Sequence, residues 1–385
     1  MNRPDAVLSD RDERDWNLSC KDGWFAMVDT PPRTRPPRHS ACEIAGMSRT
    51  VRLRYNETRA RWHANLGPVA TPGMDTVFEQ LDEICGSNRQ DGEKVKPAAV
   101  LDALPGLGKT TAALAFARAF HREQVDLYGP TVPATGGQWQ RVPVVYLGLT
   151  SNTTIRSLNA MLCRFYALPA PDRGTATRLA NRAAECVAGC KTRLVVVDDV
   201  HFLDVHRRDG REVANHFKWL ANTFPVTFFF VGVGLRARGL LTEGLTGADA
   251  AFSQTARRWN VLTLTPFEIH SEAGRRTWRN LLLGIERDLV LAELGRGTVA
   301  EDLSDYLFAR SSGHFASLMS LIARGCYRAV RTGAETLTAG LLDAVRIDEA
   351  AEKARRDLHA ALGAGRLTSR PARQTTTRLG GEGAA

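Results

Sequence analysis

The stretch 102-DALPGLGKTT-111, which follows the apolar run 97-PAAVL-101, decides the fold. It has the pattern G-x-x-x-x-G-K-[ST] of a phosphate-binding loop, except that Ala103 holds the place of the first glycine. Such a loop binds phosphates because successive backbone N–H groups, the positive end of the following helix and a lysine all face them. Alanine is the smallest replacement for that glycine, so we predict that the loop still binds ATP. The residues predicted to bind it are Pro105, Gly106, Leu107, Gly108, Lys109, Thr110 and Thr111.

A second element, 193-RLVVVDDVHF-202, has the composition of a buried strand that ends in two carboxylates. We predict that Asp198 holds Mg²⁺ through water, together with the hydroxyl of Thr110. Asp199 stands where many nucleotide hydrolases of this class carry a glutamate that orients the attacking water. Aspartate is one methylene shorter, and a displacement of about one ångström can cost on the order of a hundredfold in rate. We therefore expect slow ATP hydrolysis; the alternative is that Asp199 is only a structural cap.

An arginine pair lies in 255-TARRWNVLTL-264, just before the last predicted strand. Arg258 is our first choice for an arginine finger that reaches the γ-phosphate of a neighbouring subunit, and Arg257 is the second. Alternatively, both are solvated surface charges. At its C-terminal tip the run 226-VTFFFVG-232 lacks the Asn, Ser or Thr that often senses the γ-phosphate, because Gly232 is followed by Val233 and Gly234. The sequence therefore leaves open how the nucleotide state is sensed. The predicted catalytic residues are Lys109, Asp199 and Arg258.

Short apolar runs alternate with amphipathic helical segments through the middle of the chain. Runs that are apolar at consecutive positions indicate strands buried on both faces, and the helices between them indicate parallel connections. We predict an α/β fold in which a P-loop core with a parallel sheet is followed by a helical lid domain. The expected strands lie at 98–103, 143–149, 194–199, 226–232 and 260–265.

The rest of the chain divides by composition. The proline cluster 30-TPPRTRPPRH-39 and the absence of a sustained hydrophobic period before it predict an unpacked arm. Met47 opens the first stretch that looks folded, so the true start is either Met1 or Met47. The expected segments are a disordered or poorly ordered arm at 1–50, the α/β nucleotide-binding domain at 51–268, the helical lid at 269–362 and a flexible basic tail at 363–385.

The chain has 385 residues, of which 43% are hydrophobic and 24% charged, which suits one large and one smaller globular domain. Its formal net charge of +9 favours a polyanion such as nucleic acid as partner. No run approaches the roughly 18 apolar residues of a membrane span, and the N-terminus has no apolar signal region, so we expect a cytoplasmic protein without a membrane partner. The seven cysteines are scattered without zinc-binding spacing, and we expect reduced, packed thiols.

Taken together, the motifs resemble those of the AAA+ ATPases of the TniB/TnsC family, which regulate DNA transposition. The likeness runs from about Arg52 to Leu367. Its most family-specific part is 213-VANHFKWLANTFPVTFFFVGVGL-235, because nothing in nucleotide chemistry demands that run. Ala103 and Asp199 depart from the general AAA+ pattern. The other segments that carry the likeness are 104-LPGLGKTT-111, 193-RLVVVDDVHFL-203, 255-TARRW-259 and 312-SGHFASLMSLI-322.

The resemblance implies a protein that assembles with ATP into a ring or helical filament around duplex DNA and recruits and activates a partner transposase. An arginine finger donated to the next subunit is a head-to-tail contact, which either closes into a ring or continues as a helix. Contacts with DNA would be non-specific, from Lys and Arg to phosphates. The candidate DNA contacts, each of which is alternatively part of a solvated helix face, are Arg156, Arg164, Arg178 and Arg182.

Two other functions use the same core. A helicase loader or origin-binding ATPase would usually carry an appended winged-helix or partner-binding domain. A signalling switch would bind the nucleotide, hydrolyse it hardly at all and control a protein partner without DNA. The Asp198–Asp199 pair favours the switch to some extent, because a misplaced water-orienting group leaves the bound state long-lived.

Overall fold

The structure, a computed structural model, describes residues 14–91, 94, 96–134, 136–151, 153–202, 216, 217, 219, 220, 226–236 and 259–372. The contacts divide the chain into two compact units. The first unit comprises Met1–Thr34 and Pro72–Thr265, and the second comprises Arg35–Thr71 and Pro266–Ala385. Each unit therefore combines an N-terminal segment with a later part of the chain.

The first unit is built on a parallel sheet. The strands of the described chain are β1 (Ala98–Ala103), β2 (Thr131–Ala134), β3 (Gly137–Gln140), β4 (Val144–Gly148), β5 (Leu194–Asp198), β6 (Thr227–Gly232) and β7 (Trp259–Leu264). Five of them form one sheet in the order β4-β5-β6-β1-β7, with parallel pairing throughout. This confirms the predicted parallel sheet. The antiparallel hairpin β2–β3 was not predicted, because its strands are short and largely exposed.

The strands inside the sheet are more deeply buried than the strand at its edge. Every residue of β1, β5 and β6 is buried, which requires helices on both faces of the sheet. In β7, at one edge, only Leu262 and Leu264 are buried. The run of three phenylalanines in β6 lies in the middle of this core, where Phe228 and Phe230 stack with ring centroids 5.7 Å apart.

Helices make up most of the remaining described chain. They are α1 (Lys21–Asp29), α2 (Ala41–Gly46), α3 (Arg49–Ala64), α4 (Pro72–Ser87), α5 (Lys109–Tyr128), α6 (Ile155–Phe165), α7 (Ala176–Gly189), α8 (Glu272–Asp288), α9 (Ser304–Ser311), α10 (Phe315–Thr332), α11 (Ala339–Asp343) and α12 (Glu349–Gly363). In the second unit they surround Trp278, which is fully buried against the rings of Phe267 and Phe308.

The N-terminal arm differs from the expectation of disorder over residues 1–50. Residues 1–13 lie outside the described chain, but within 14–50 the residues 21–29 and 41–46 form helices α1 and α2. Trp24, Met27 and Val28 follow the i, i+3, i+4 spacing of one helix face and are buried in the first unit. The expectation was wrong here because a single helical turn of apolar residues is too short to stand out among charged neighbours.

The expected boundaries of the α/β and lid domains also need correction. Residues 51–71 belong to the second unit, because α3 packs there, and the first unit ends at Thr265 rather than at 268. The last part of the expected lid, 337–362, contains two helices, α11 and α12. The expected flexible tail is packed at its start, since Ser369 is fully buried and its hydroxyl lies 2.6 Å from that of Ser304. The tail from 373 onward lies outside the described residues.

Candidate nucleotide-binding site

The phosphate loop joins the end of β1 to the start of α5. Its two glycines adopt the left-handed conformation that favours glycine, with φ of 75° at Gly106 and 82° at Gly108. Ala103 behaves differently, because it is the last residue of β1 and pairs with Leu264 of β7 in an extended conformation. The place of the missing first glycine therefore requires no positive φ, and alanine fits there without backbone strain.

Helix α5 provides the loop with a helix N-terminus. It is 20 residues long and begins at Lys109, with Gly108 as its N-cap. The first N–H groups of a helix have no intrahelical acceptor, so they remain available to an anion. Thr110 and Thr111 are exposed in this first turn and Pro105 is exposed in the loop, whereas Leu107 is buried in the core and anchors the loop.

Lys109 connects the loop electrostatically with the acidic strand ends. Its side chain is partly buried, and its Nζ donates a hydrogen bond to the carbonyl oxygen of Leu104 at 2.7 Å. Burial lowers the pKa of its ammonium group, while the charges of Asp198, Asp102 and Asp199 oppose that shift. The structure thus brings the predicted lysine and the two predicted carboxylates into one site.

Asp198 is the last residue of β5 and is almost completely buried. Its Oδ1 accepts the backbone N–H of Asp199 at 2.8 Å, and its Oδ2 accepts the hydroxyl of Tyr146 at 2.9 Å. Burial and the charge of Asp198 raise the pKa of the Tyr146 hydroxyl, so the phenol stays protonated and donates. Two donors therefore fix the orientation of this carboxylate. Tyr146 was missed in the sequence, because only its pairing across the sheet brings it to the site.

Asp199 leaves the strand in a left-handed conformation, with φ of 58°. Aspartate is among the residues that tolerate this region. About half of its side chain is exposed, and its Oδ1 lies 3.9 Å from Nδ1 of His201. Burial raises the pKa of its carboxyl and Asp198 adds to the shift, while His201 and Lys109 oppose it. A solvent-accessible carboxyl beside the magnesium-binding candidate is compatible with orienting a water, and that role stays a prediction.

Asp102 is a further residue that sequence reasoning missed. Its carboxylate accepts the backbone N–H of Leu235 at 2.9 Å and that of Arg236 at 3.1 Å. These residues lie in the turn after β6. Asp102 thus fastens that turn to the strand that leads into the phosphate loop. The signal in the sequence was a carboxylate inside an otherwise apolar buried strand.

The remaining predicted residues fall partly outside the described chain. Arg257 and Arg258 are not among the described residues, and neither is much of 213–235. Within that stretch, Nε2 of His216 lies 2.8 Å from Oδ1 of the buried Asn159, and Phe217 is in the core against Phe228 and Phe230. Packing thus accounts for part of this run.

Three of the four arginines predicted to contact DNA hold the loop that precedes α7. Arg156 donates to the carbonyl oxygens of Asp172 and Gly174, and Arg182 donates to that of Pro169. Arg164 pairs with the Asp172 carboxylate at 2.7 Å. Because these contacts are exposed, they are weak and would not prevent the arginines from binding other partners. The DNA role of Arg156, Arg164, Arg178 and Arg182 stays a prediction.

The groups at the site suit a nucleoside triphosphate with Mg²⁺. The N–H groups from Gly106 to Thr111 and the Lys109 ammonium are donors for phosphate oxygens. Mg²⁺ prefers oxygen ligands and keeps several waters, so the Thr110 hydroxyl and the Asp198 carboxylate are the residues that would hold it. Within the described part of the chain, no group of three or more His, Cys, Asp or Glu side chains forms a metal cluster.

Comparison with known proteins agrees with this geometry. Residues 93–241 match the model of a family described as an AAA domain. The sheet and the loop form an AAA+ P-loop fold. The match covers the loop, the acidic strand and the turn after β6. No curated protein matches the chain.

Two solved structures of Aeropyrum pernix proteins have a similar AAA+ fold. One is the ORC1 protein in complex with DNA, which is 15% identical, with 78% of this chain and 70% of that chain covered and a TM-score of 0.53. The other is the ORC2 protein in ADPNP and ADP complexes, which is 13% identical, with 78% and 72% covered and a TM-score of 0.53. At these identities the likeness concerns the fold alone.

Among the helices that the structure describes, none combines the length and apolar character needed to cross a membrane.

Proposed function

We propose that this protein is an ATP-dependent regulator of DNA transposition, which assembles on duplex DNA and recruits or activates a partner transposase. The observation that carries the ATP-dependent part is the convergence of Lys109, the two left-handed loop glycines and Asp198 at one end of the sheet. The likeness to TniB/TnsC ATPases in 213–235 and 312–322 supports the part played in transposition.

The residues of the chain have separate tasks in this proposal. The loop N–H groups and Lys109 bind the phosphates, and Asp199 orients the attacking water. Mg²⁺, when bound, would neutralise charge on the phosphate oxygens. The half-exposed side chain of Asp199 and its short reach agree with slow hydrolysis, so that ATP persists long enough to stabilise an assembly.

Assembly depends on Arg258 in this proposal. An arginine that completes the site of the next subunit makes ATP part of a head-to-tail interface, and repeated interfaces of this kind give a ring or a helical filament. The net charge of +9 supports a phosphate-directed, non-specific contact with the duplex. The AAA+ fold is compatible with such a partner, since the ORC1 protein of similar fold was solved in complex with DNA.

The test is ATP-dependent assembly on DNA. Wild-type protein with ATP and duplex DNA of arbitrary sequence should form large complexes by electron microscopy and light scattering. Their affinity for DNA should fall steeply as salt rises, because phosphate contacts release counterions. Arg258→Ala should keep nucleotide binding by the monomer but lose the complexes.

A matched control separates the finger from general loss of charge. Arg287 is an exposed arginine at the end of α8, 3.9 Å from Asp288, and Arg287→Ala should assemble as the wild type does. A wild-type protein that stays monomeric with ATP and DNA at low salt would contradict the proposal. If that protein still binds ATP, the nucleotide-dependent signalling switch becomes the better account.

A further inference from the structure

The buried carboxylate Asp198 and the ring of Tyr146 lie on the same face of the sheet. β4 and β5 pair so that Tyr146 is opposite Val196 and Gly148 is opposite Asp198. Side chains two residues apart on a strand point to the same face, so Tyr146 is the diagonal neighbour of Asp198. Gly148 has no side chain, and a Cβ placed on it would meet no atom within 4 Å. The Tyr146 hydroxyl can therefore reach the carboxylate past Gly148.

The hydrogen bond from Tyr146 complements the backbone donor of Asp199. Asp198 Oδ2 accepts from the phenol and Oδ1 accepts from the N–H, so each carboxylate oxygen has one fixed partner. Without the phenol, the carboxylate would keep the N–H on one oxygen but could rotate at the other. A ligand of a metal-bound water works best when its own orientation is fixed by such outer partners.

The ring of Tyr146 is itself held by the N-terminal helix. Trp24 of α1 lies nearly parallel to it, with ring centroids 6.5 Å apart and an interplanar angle of 10°. The indole Nε1 donates to Nδ1 of His121 at 3.0 Å. The C-terminal end of α1 is fastened by Arg118, whose Nε and Nη2 donate to the carbonyl oxygen of Val28 at 3.3 and 3.2 Å. A chain of contacts thus runs from α1 to the nucleotide site.

We propose that Tyr146 is a positioning residue for Asp198 and that α1, through Trp24, holds Tyr146 in place. This inference rests on the proposed nucleotide function and assigns part of the metal dependence of the site to a helix far away in sequence. The N-terminal segment is then a component of the ATP site, although it carries no residue that contacts the nucleotide in this proposal.

The experiment measures ATP affinity as a function of Mg²⁺ concentration, by titration calorimetry, for the wild type and for Tyr146→Phe. Phenylalanine keeps the ring against Trp24 and removes only the hydroxyl. The Mg²⁺ concentration for half-maximal ATP binding should rise by roughly tenfold or more, as is typical when an outer partner of a metal ligand is lost. ATP affinity in EDTA should stay within about 3-fold of the wild type, because the phosphate loop is unchanged.

Tyr166→Phe is the matched control. Tyr166 is a buried tyrosine of the same unit whose hydroxyl lies 2.6 Å from that of Thr192, so its loss removes a comparable hydrogen bond. This variant should keep the wild-type Mg²⁺ dependence. Equal Mg²⁺ dependence in Tyr146→Phe and Tyr166→Phe would overturn the role of Tyr146 while leaving the nucleotide site intact. A wild type that binds no ATP would instead overturn the proposed function and this inference with it.

The part played by α1 has its own variant. Trp24→Phe replaces the indole with a smaller ring and removes the N–H that donates to His121. The Mg²⁺ concentration for half-maximal ATP binding should rise by roughly 3-fold, the size expected for coupling through packed side chains. Trp278→Phe, at the fully buried tryptophan of the second unit, should not change it. If Trp24→Phe also leaves the Mg²⁺ dependence unchanged, the link between α1 and Tyr146 is wrong.

Discussion

The two units fasten their N-terminal segments in different ways. In the first unit, α1 is held by Trp24, which stacks on Tyr146 and donates to His121. In the second unit, α3 is held by Arg59, which donates from Nη1 and Nη2 to the carboxylate of Glu335 at 2.6 and 2.9 Å. The first attachment is aromatic and the second is ionic, and both are buried.

The difference lies in what each attachment leads to. The aromatic one continues through the Tyr146 hydroxyl to the carboxylate that we assign to Mg²⁺. The ionic one ends within the second unit, where Glu335 also accepts the N–H of Ala292 and His63 accepts the N–H of Val290. We therefore expect the segment attached through Trp24 to influence the candidate nucleotide site, and the attachment through Arg59 to affect stability alone.

The largest effect should come from breaking the ionic attachment. Glu335→Gln keeps the shape of the side chain but leaves the buried Arg59 without a counter-charge, so unfolding should become easier by roughly 3–5 kcal/mol. Denaturant unfolding of the variant measures the change. The control is Glu301→Gln, which breaks the partly exposed pair with Arg279 and should cost less than about 1 kcal/mol. Equal losses in both variants would contradict a special role for the buried pair.

Neither attachment could be predicted from the sequence. Trp24 and His121 are 97 positions apart, and Arg59 and Glu335 are 276 apart. Hydrophobic periodicity finds strands and helices, since it depends on local spacing, but it contains no information about which distant side chain a single tryptophan or arginine will meet. For the same reason, the sequence did not reveal that residues 51–71 belong to the second unit.

A smaller loss of folding stability should appear in both units as the pH falls. Burial is the main reason why the pKa of His63 and that of His121 are each lowered to about 4, and both rings accept an N–H that an imidazolium could not accept. The charges of Arg59 and Arg35 add to the shift at His63 and Glu335 opposes it; at His121, Asp29 opposes it and Arg122 adds to it.

The sign of the pH effect follows from these lowered values. Below the unfolded pKa of about 6.5, each histidine binds a proton in the unfolded chain but stays neutral in the folded one. The free energy of unfolding should therefore fall by about 1.4 kcal/mol per histidine for each pH unit, down to about pH 4. Denaturant unfolding between pH 7 and 5 tests this. His121→Asn and His63→Gln keep an acceptor oxygen near Nδ1 and Nε2 respectively, and each should reduce the pH dependence. A dependence unchanged in both variants would contradict the buried neutral histidines.

The smallest effect is expected at the loop itself. Ala103→Gly restores the usual phosphate-loop pattern, but Ala103 is extended and paired with Leu264, so glycine relieves no strain there. ATP affinity should change by less than about 3-fold, and the free energy of unfolding should drop by about 0.5–1 kcal/mol because glycine is more flexible in the unfolded chain. ATP titration and denaturant unfolding check both. A tenfold gain in ATP affinity would mean that the first glycine is needed after all.

The candidate site was more accessible to sequence reasoning than the attachments were. The five strands, the loop and the two carboxylates each have a local pattern, and parallel strands place their carboxyl ends at one edge of the sheet. Asp102 had only a single carboxylate in an apolar run as its signal, and Tyr146 had no local pattern. The tyrosine is placed by the register between β4 and β5, and the aspartate by a turn that follows a different strand. Register and long-range turns depend on the whole fold.

The most direct test of the nucleotide site is equilibrium ATP binding by the wild type and by Lys109→Ala, followed by titration in the presence of Mg²⁺. The account predicts saturable binding by the wild type and a loss of roughly 100-fold or more in the variant, because the ammonium is the charge that faces the phosphates. Lys191→Ala, at an exposed lysine of the same unit, should bind as the wild type does. Unchanged affinity in a folded Lys109→Ala protein would contradict the assignment of this loop as the ATP site.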